Sequence, residues 1–182
     1  MVIPVGETSG GHLGPLQDRS DFTLTAALSG GALAGTGELA AIGRQVSSTQ
    51  DYRTTVQLGA DGSLTIALSS RSDSTGPDQG VQTPLSDRVI LNGTKADRPE
   101  DPRPPISIRM QTVGTNPTVL RAKAWPATGS EPADWTVTAT DGATELQRPG
   151  TVGVTASMGG TADLAAVPGG ATVYDVVARA AP

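Results

Sequence analysis

The nineteen residues from Tyr52 to Ser70, "YRTTVQLGADGSLTIALSS", limit the fold of this chain more than any other stretch. Tyr52, Thr54, Val56 and Leu58 alternate with Arg53, Thr55 and Gln57, and Leu64, Ile66 and Leu68 resume the alternation after Asp61-Gly62. A period of two places alternate side chains on opposite faces of a strand. Asp-Gly supplies the positive-φ positions that a tight hairpin needs. This stretch predicts two antiparallel strands with one buried face, and an amphipathic helix cannot be drawn through it.

The same period recurs along the chain. Phe22, Leu24, Ala26 and Leu28 share a face in "FTLTAALS", and further strands are predicted at Glu38–Val46, Ile106–Val113, Thr118–Trp125, Asp134–Asp141, Thr151–Met158 and Ala171–Arg179. Gly (23) and Pro (14) make up about a fifth of the 182 residues, which suits short strands joined by turns. No amphipathic helix and no internal repeat is visible. The reading is all-β, with roughly nine or ten strands in a two-sheet antiparallel β-sandwich of jelly-roll, concanavalin-A-like type.

Two segments stand apart. Residues 1–20 are rich in Gly and Pro and read as an extended arm lying on the sandwich or on a neighbour, which leaves 21–182 as the sandwich domain. Residues 71–105 hold six prolines, with only "RVIL" (88–91) able to pair, and read as a surface excursion that covers a sheet edge.

Composition closes off several functions. A net charge of −5 opposes a nucleic-acid partner, because phosphate binding needs a basic face. No apolar run reaches the roughly 18 residues of a membrane span. The N-terminus lacks the basic and apolar regions of a secretory signal. With no cysteine there is no disulfide, thiolate catalysis or zinc–sulfur site.

Catalysis finds little support. Glycoside hydrolysis needs two carboxylates held about 5–10 Å apart. The glutamates Glu7, Glu38, Glu100, Glu131 and Glu145 are scattered, with no acid two residues away on a strand. The single histidine, His12, sits in "SGGHLG", a poor setting for a positioned base. "GTGELAAIG" (35–43) precedes a strand rather than a helix, so it is no phosphate cradle. The chain reads as a non-enzyme. No cofactor is expected except calcium, for which Asp97, Asp101 and Asp175 are the candidate ligands, with Asp73 and Asp78 as a further pair. Plain surface acids are the simpler account of all five.

The richest stretch for recognition is "TNPTVLRAKAWPATGSEPADWTVTATD" (115–141), which holds both tryptophans. Along its first strand Leu120, Ala122 and Ala124 share one face and Arg121, Lys123 and Trp125 the other. An aromatic between Arg and Lys on an outward face suits sugar stacking or a protein contact. Arg121, Lys123 and Trp125, with Arg109 on the preceding strand, are therefore the candidate binding residues. Packing at the sandwich edge is the alternative for Trp125. Trp135 groups with Val137 and Ala139 on the predicted core side. Arg53, Gln57, Arg109 and Gln111 are predicted on outward faces, where solvation is the default.

Two segments, "GRQVSSTQDYRTTVQLGADGSLTIALSS" and "ISIRMQTVGTNPTVLRAKAWPATGSEPADWTVTATDGATELQRPGTVGV", resemble a concanavalin-A-like, laminin-G-like jelly-roll module of actinobacterial surface proteins and phage minor tail proteins. Gly114-Thr115, Pro117-Thr118, Arg121, Trp125, Glu131-Pro132, Trp135 and Thr140-Asp141 carry the likeness. The chain departs from it by lacking a Trp/Gly-rich strand before Asp21. That leaves an edge to be completed by "VIPV" or by another chain. The resemblance implies a non-catalytic module. Its first implied role is a structural virion protein (minor tail, fibre or capsid-decoration subunit) that contacts other virion proteins as repeated copies or a homo-oligomer and assembles in the host cytoplasm. Its second is a lectin-like, carbohydrate-binding module of a bacterial cell surface or of a carbohydrate-active protein.

Overall fold

The computed structural model describes residues 2–3, 8–29, 37–58, 63–72, 80–91, 104–158 and 169–182. Thirteen strands and one 3-10 turn, Thr144–Leu146, lie among them. In chain order the strands are β1 (Val2–Ile3), β2 (Thr8–Gln17), β3 (Arg19–Ser29), β4 (Gly37–Gln45), β5 (Asp51–Leu58), β6 (Leu64–Ser72), β7 (Val81–Pro84), β8 (Val89–Ile90), β9 (Ile106–Val113), β10 (Thr118–Pro126), β11 (Val137–Asp141), β12 (Gly150–Met158) and β13 (Gly169–Arg179).

They form two antiparallel sheets. One runs β1-β13-β3-β9-β10-β11; the other runs β2-β12-β4-β5-β6-β7, with β8 also on the edge of β6. The molecule is an all-β jelly-roll sandwich, as the alternation predicts. Phe22, Leu24, Leu39, Tyr52, Ile66, Leu68, Ile108, Met110 and Leu120 fill the space between the sheets, every one nearly inaccessible to solvent. The hairpin is realised as Tyr52↔Ser70 through Leu58↔Leu64, while its Asp61-Gly62 turn falls outside the described residues.

Residues 8–17, expected as an extended arm, make β2, which pairs with β12. Val2↔Gly170 and Ile3↔Gly169 pair β1 with β13, so part of "VIPV" lies on a sheet edge. From the Pro-rich excursion, Val81–Pro84 and Val89–Ile90 pair with β6.

The sheets come into tight contact at a bulge in β4. A Cβ on Gly43 would meet the Thr112 Oγ1 at 2.2 Å and the Met110 Sδ at 3.0 Å, so only glycine fits there. The next residue, Arg44, is 1% exposed. Its Nη1 donates to the Thr118 hydroxyl at 2.8 Å. Its Nη2 donates to the carbonyls of Gly114 (2.8 Å) and Asp18. The Tyr52 ring lies 5.9 Å from its guanidinium carbon. The Tyr52 hydroxyl donates to Asp141 Oδ2 at 2.5 Å and accepts from the Gln147 amide at 2.8 Å. The Thr118 hydroxyl in turn donates to Gln147 Oε1 at 2.9 Å, which also accepts the Asn116 N–H at 2.6 Å.

This network joins β4 and β5 of one sheet to β10 and β11 of the other. Buried acceptors that lose their donor carry a desolvation penalty. Arg44→Met is therefore expected to cost about 3 kcal/mol of unfolding free energy. The denaturant midpoint of the full chain checks this.

Candidate functional site

The outer face of the six-stranded sheet, away from the core, carries a connected set of charged, polar and aromatic side chains. Registers across β13, β3, β9 and β10 place its side chains in three rows. Arg179, Asp21, Gln111 and Arg121 form the first, and Val177, Thr23, Arg109 and Lys123 the second. Asp175, Thr25, Ser107 and Trp125 form the third. Strand pairing thus brings all four predicted binding residues, Arg109, Arg121, Lys123 and Trp125, onto one face.

An ionic chain occupies the centre of that face. Arg109 grips Asp21 in a two-pronged pair, Nε to Oδ1 at 2.8 Å and Nη2 to Oδ2 at 2.5 Å. Its third nitrogen, Nη1, reaches Glu131 Oε1 at 2.6 Å. Lys123 meets the same Glu131 oxygen at 2.8 Å and donates to the Pro132 carbonyl at 2.5 Å. The Gln111 amide adds a hydrogen bond to Asp21 Oδ2 at 2.8 Å. Two-pronged guanidinium–carboxylate pairs fix orientation as well as charge.

Trp135 completes the arrangement. Its ring centre lies 4.7 Å from the Lys123 ammonium and 5.5 Å from the Arg109 guanidinium carbon, within cation–π range. This corrects the expectation that Trp135 faces the core with Val137 and Ala139. Regular alternation starts only at Val137; before it, the segment from Ala127 to Thr136 folds over the outer face, drawn down by Glu131 and the Pro132 carbonyl. The predicted solvation of Arg53 and Gln111 is corrected too. Both are buried, Arg53 against Asp51 (2.5 Å) and Gln111 against Asp21.

The charges follow the geometry. For Glu131, the Lys123 hydrogen bond lowers the pKa below the usual carboxylate range against partial burial, and Arg109 adds to it. Burial pulls Asp21 upward, but the hydrogen bonds of Arg109 and Gln111 and the charges of Arg109 and Arg179 prevail and hold it low. Hydrogen bonding to Asp21 carries Arg109 above the ordinary arginine value, with Glu131 assisting and burial opposing.

Beside this chain, toward β13, lies an open cleft of about 240 Å³ lined by Asp21, Thr23, Arg109, Glu131, Val177 and Arg179. Arg121 and Trp125 are half-buried on the β10 side of the face. Asp175 is exposed at the β13 end of the third row, while Asp97, Asp101, Asp73 and Asp78 lie outside the described residues. Among the described residues no three acids or histidines cluster as a metal site would require. Sequence reading missed Asp21, Thr23, Glu131 and Arg179 as site residues. Alternation with Phe22 marks Asp21 as outward, but its meeting with Arg109, 88 residues on, depends on strand order.

No protein-family model matches the chain, and no curated protein matches it. Solved structures do. The legume lectin-like domain from Entamoeba histolytica superposes with a TM-score of 0.61 at 10% identity, over 99% of this chain and 82% of that one. The carbohydrate-binding module CBM66 from Bacillus subtilis gives 0.51 at 12% identity, over 95% and 82%. The CBM2 module of the evolved Dit of Lactobacillus casei BL23 phage J-1 gives 0.49 at 10%, over 91% and 67%. At these identities the first two likenesses establish the lectin-like sandwich fold and nothing finer.

The ionic chain makes the loop position depend on pH. Asp21 and Glu131 have lowered folded pKa values, so their contribution is complete above the ordinary carboxylate value of about 4 and is lost as pH falls through the lowered ones. In a Trp125→Phe background, Trp135 fluorescence should shift to the red on that descent. Glu131→Gln should show the shifted emission already at neutral pH and a smaller acid response.

Proposed function

We propose that this chain is a non-catalytic carbohydrate-binding module that holds its glycan on the outer face of the six-stranded sheet. The observation that carries the reading is the cleft between Glu131 and Arg179. Its walls offer carboxylate acceptors and guanidinium donors beside Thr23, with Asp21, Arg109 and Glu131 held in place by their mutual bonds. Sugar hydroxyls both donate and accept, so neighbouring hydroxyls are matched by a carboxylate beside a guanidinium. The lectin-like and carbohydrate-binding structures sharing the fold support the same reading. Trp125 and Arg121 extend the surface toward β10 for a ligand longer than one ring.

The charges also favour binding over hydrolysis. Asp21 and Glu131 are bridged by Arg109 and held ionised, which leaves no protonated acid for a leaving group. Burial raises Glu38 on the opposite sheet, but its strand partners are Gln57 and Ser157, not a second acid. Binding without calcium follows as well, since the cleft carboxylates already have cationic partners.

A structural role in a virion is the second reading. It is favoured by the exposed edge of β13, where Val173 and Tyr174 stand in solvent. In both readings the module works at a surface, of a phage particle or of a bacterial cell.

Calorimetric titration against a panel of neutral and acidic polysaccharides tests the first reading. Binding should survive a chelator, and Asp21→Asn or Arg179→Ala should weaken it about tenfold or more, the cost of leaving a buried polar partner unmatched. A panel with no ligand, or a ligand indifferent to both substitutions, would sink the glycan reading and leave the virion one.

A further inference from the structure

The sandwich has a strand edge with a pattern of its own. β13 pairs with β3 along its whole length, from Gly170↔Ser29 to Arg179↔Asp21. On its other edge β1 reaches only Gly169 and Gly170. Among the described residues no strand covers that edge from Thr172 onward. Exposure there is real: Val173 is 39% and Tyr174 56% exposed, and Asp175, Ala178 and Arg179 are exposed as well. The stretch Thr172–Arg179 contains no proline and no lysine, the residues that usually protect an edge. A bulge between Val173 and Asp175 sets off the five residues after it, Asp175-Val176-Val177-Ala178-Arg179.

Those five residues are self-complementary. Asp175, Val177 and Arg179 sit on the outer face, in register with Thr25, Thr23 and Asp21. Neither Asp175 nor Arg179 forms an ion pair among the described residues. Four positions along a strand is about 13 Å, too far for the two to reach each other in one chain. An antiparallel second copy centred on Val177 changes this. Residues 175 and 179 then face each other twice, Val177 faces itself, and each acid meets an arginine.

We propose that a second copy of this chain pairs along the β13 edge about a two-fold axis through Val177, joining two six-stranded sheets into one continuous sheet. The backbone groups of Asp175–Arg179 make the ladder. The two Asp175–Arg179 contacts fix the register, which a neutral edge would leave free to slip. A two-fold interface of this kind is closed, so it yields a dimer and not a fibre. The pairing shares Val177 and Arg179 with the lining of the cleft but does not rest on the glycan reading. A chain that dimerises without binding sugar upholds it, and a sugar-binding monomer does not.

Sedimentation velocity of the full chain, from micromolar to submillimolar concentration, tests it. The native chain should show concentration-dependent dimer. Asp175→Arg sets like charges opposite each other at both contacts and should raise the dimer dissociation constant about tenfold or more. Arg179→Asp should do the same. The double exchange, D175R with R179D, should restore the dimer to within about threefold of the native value, because the pairs re-form with the signs reversed. If either reversal fails to fold by circular dichroism, Asp175→Asn removes the attraction alone and should shift the constant in the same direction by less. A chain that stays monomeric throughout, or a dimer indifferent to Asp175→Arg, overturns the proposal.

Discussion

A guanidinium shut inside a β-sandwich must find acceptors in several directions at once, and at Arg44 it does. The acceptors come from the link between β2 and β3, from the turn after β9 and from β10, while Tyr52 lies beside it from β5. The apolar contacts between the two sheets, mostly aliphatic with one phenylalanine, carry little directional information. Directional bonds across the end of the sheets supply it. The bulge that exposes Arg44 to these partners also brings Gly43 against Thr112 and Met110, so close approach and polar tie are one local solution.

On that face, charge does the work that apolar packing does inside. Arg109 is held by Asp21 beneath and Glu131 above, and Lys123 meets the same Glu131 from the neighbouring strand. The loop that carries Glu131 and Trp135 therefore rests on a platform of fixed cations. The groups that look most ready to bind a ligand are already engaged, Lys123 with that loop and Arg109 with both Asp21 and the loop. What they leave for a ligand is the cleft toward β13, where Arg179 and the outer side of Glu131 remain open.

Sequence made the architecture legible because the signal is local. Alternation in "FTLTAALS" and across Tyr52–Ser70 reads directly as strands with a buried face, and the strand from Thr118 shows its outward Arg121, Lys123 and Trp125 without any knowledge of neighbours. Strand order is not local. That Asp21 lies beside Gln111 and Arg109, or that residues 8–17 form a strand beside β12, depends on pairings across the whole chain. Trp135 misled for a related reason, since a period of two carries no meaning in a loop. The motifs that carried the family resemblance divide in an instructive way. Gly114, Thr118 and Asp141 belong to the network around Arg44 and Tyr52, whereas Glu131 and Trp135 belong to the outer face.

The loop over the outer face is tied to the sheet by backbone bonds at both ends and by side-chain contacts only in its second half. Glu131, Pro132 and Trp135 touch the cations, while Thr128, Gly129 and Ser130 at its crest are exposed. Changes at the crest lie clear of the strands and of the ion pairs beneath. A loop arranged this way can take substitutions at three exposed positions while its ionic anchor stays in place.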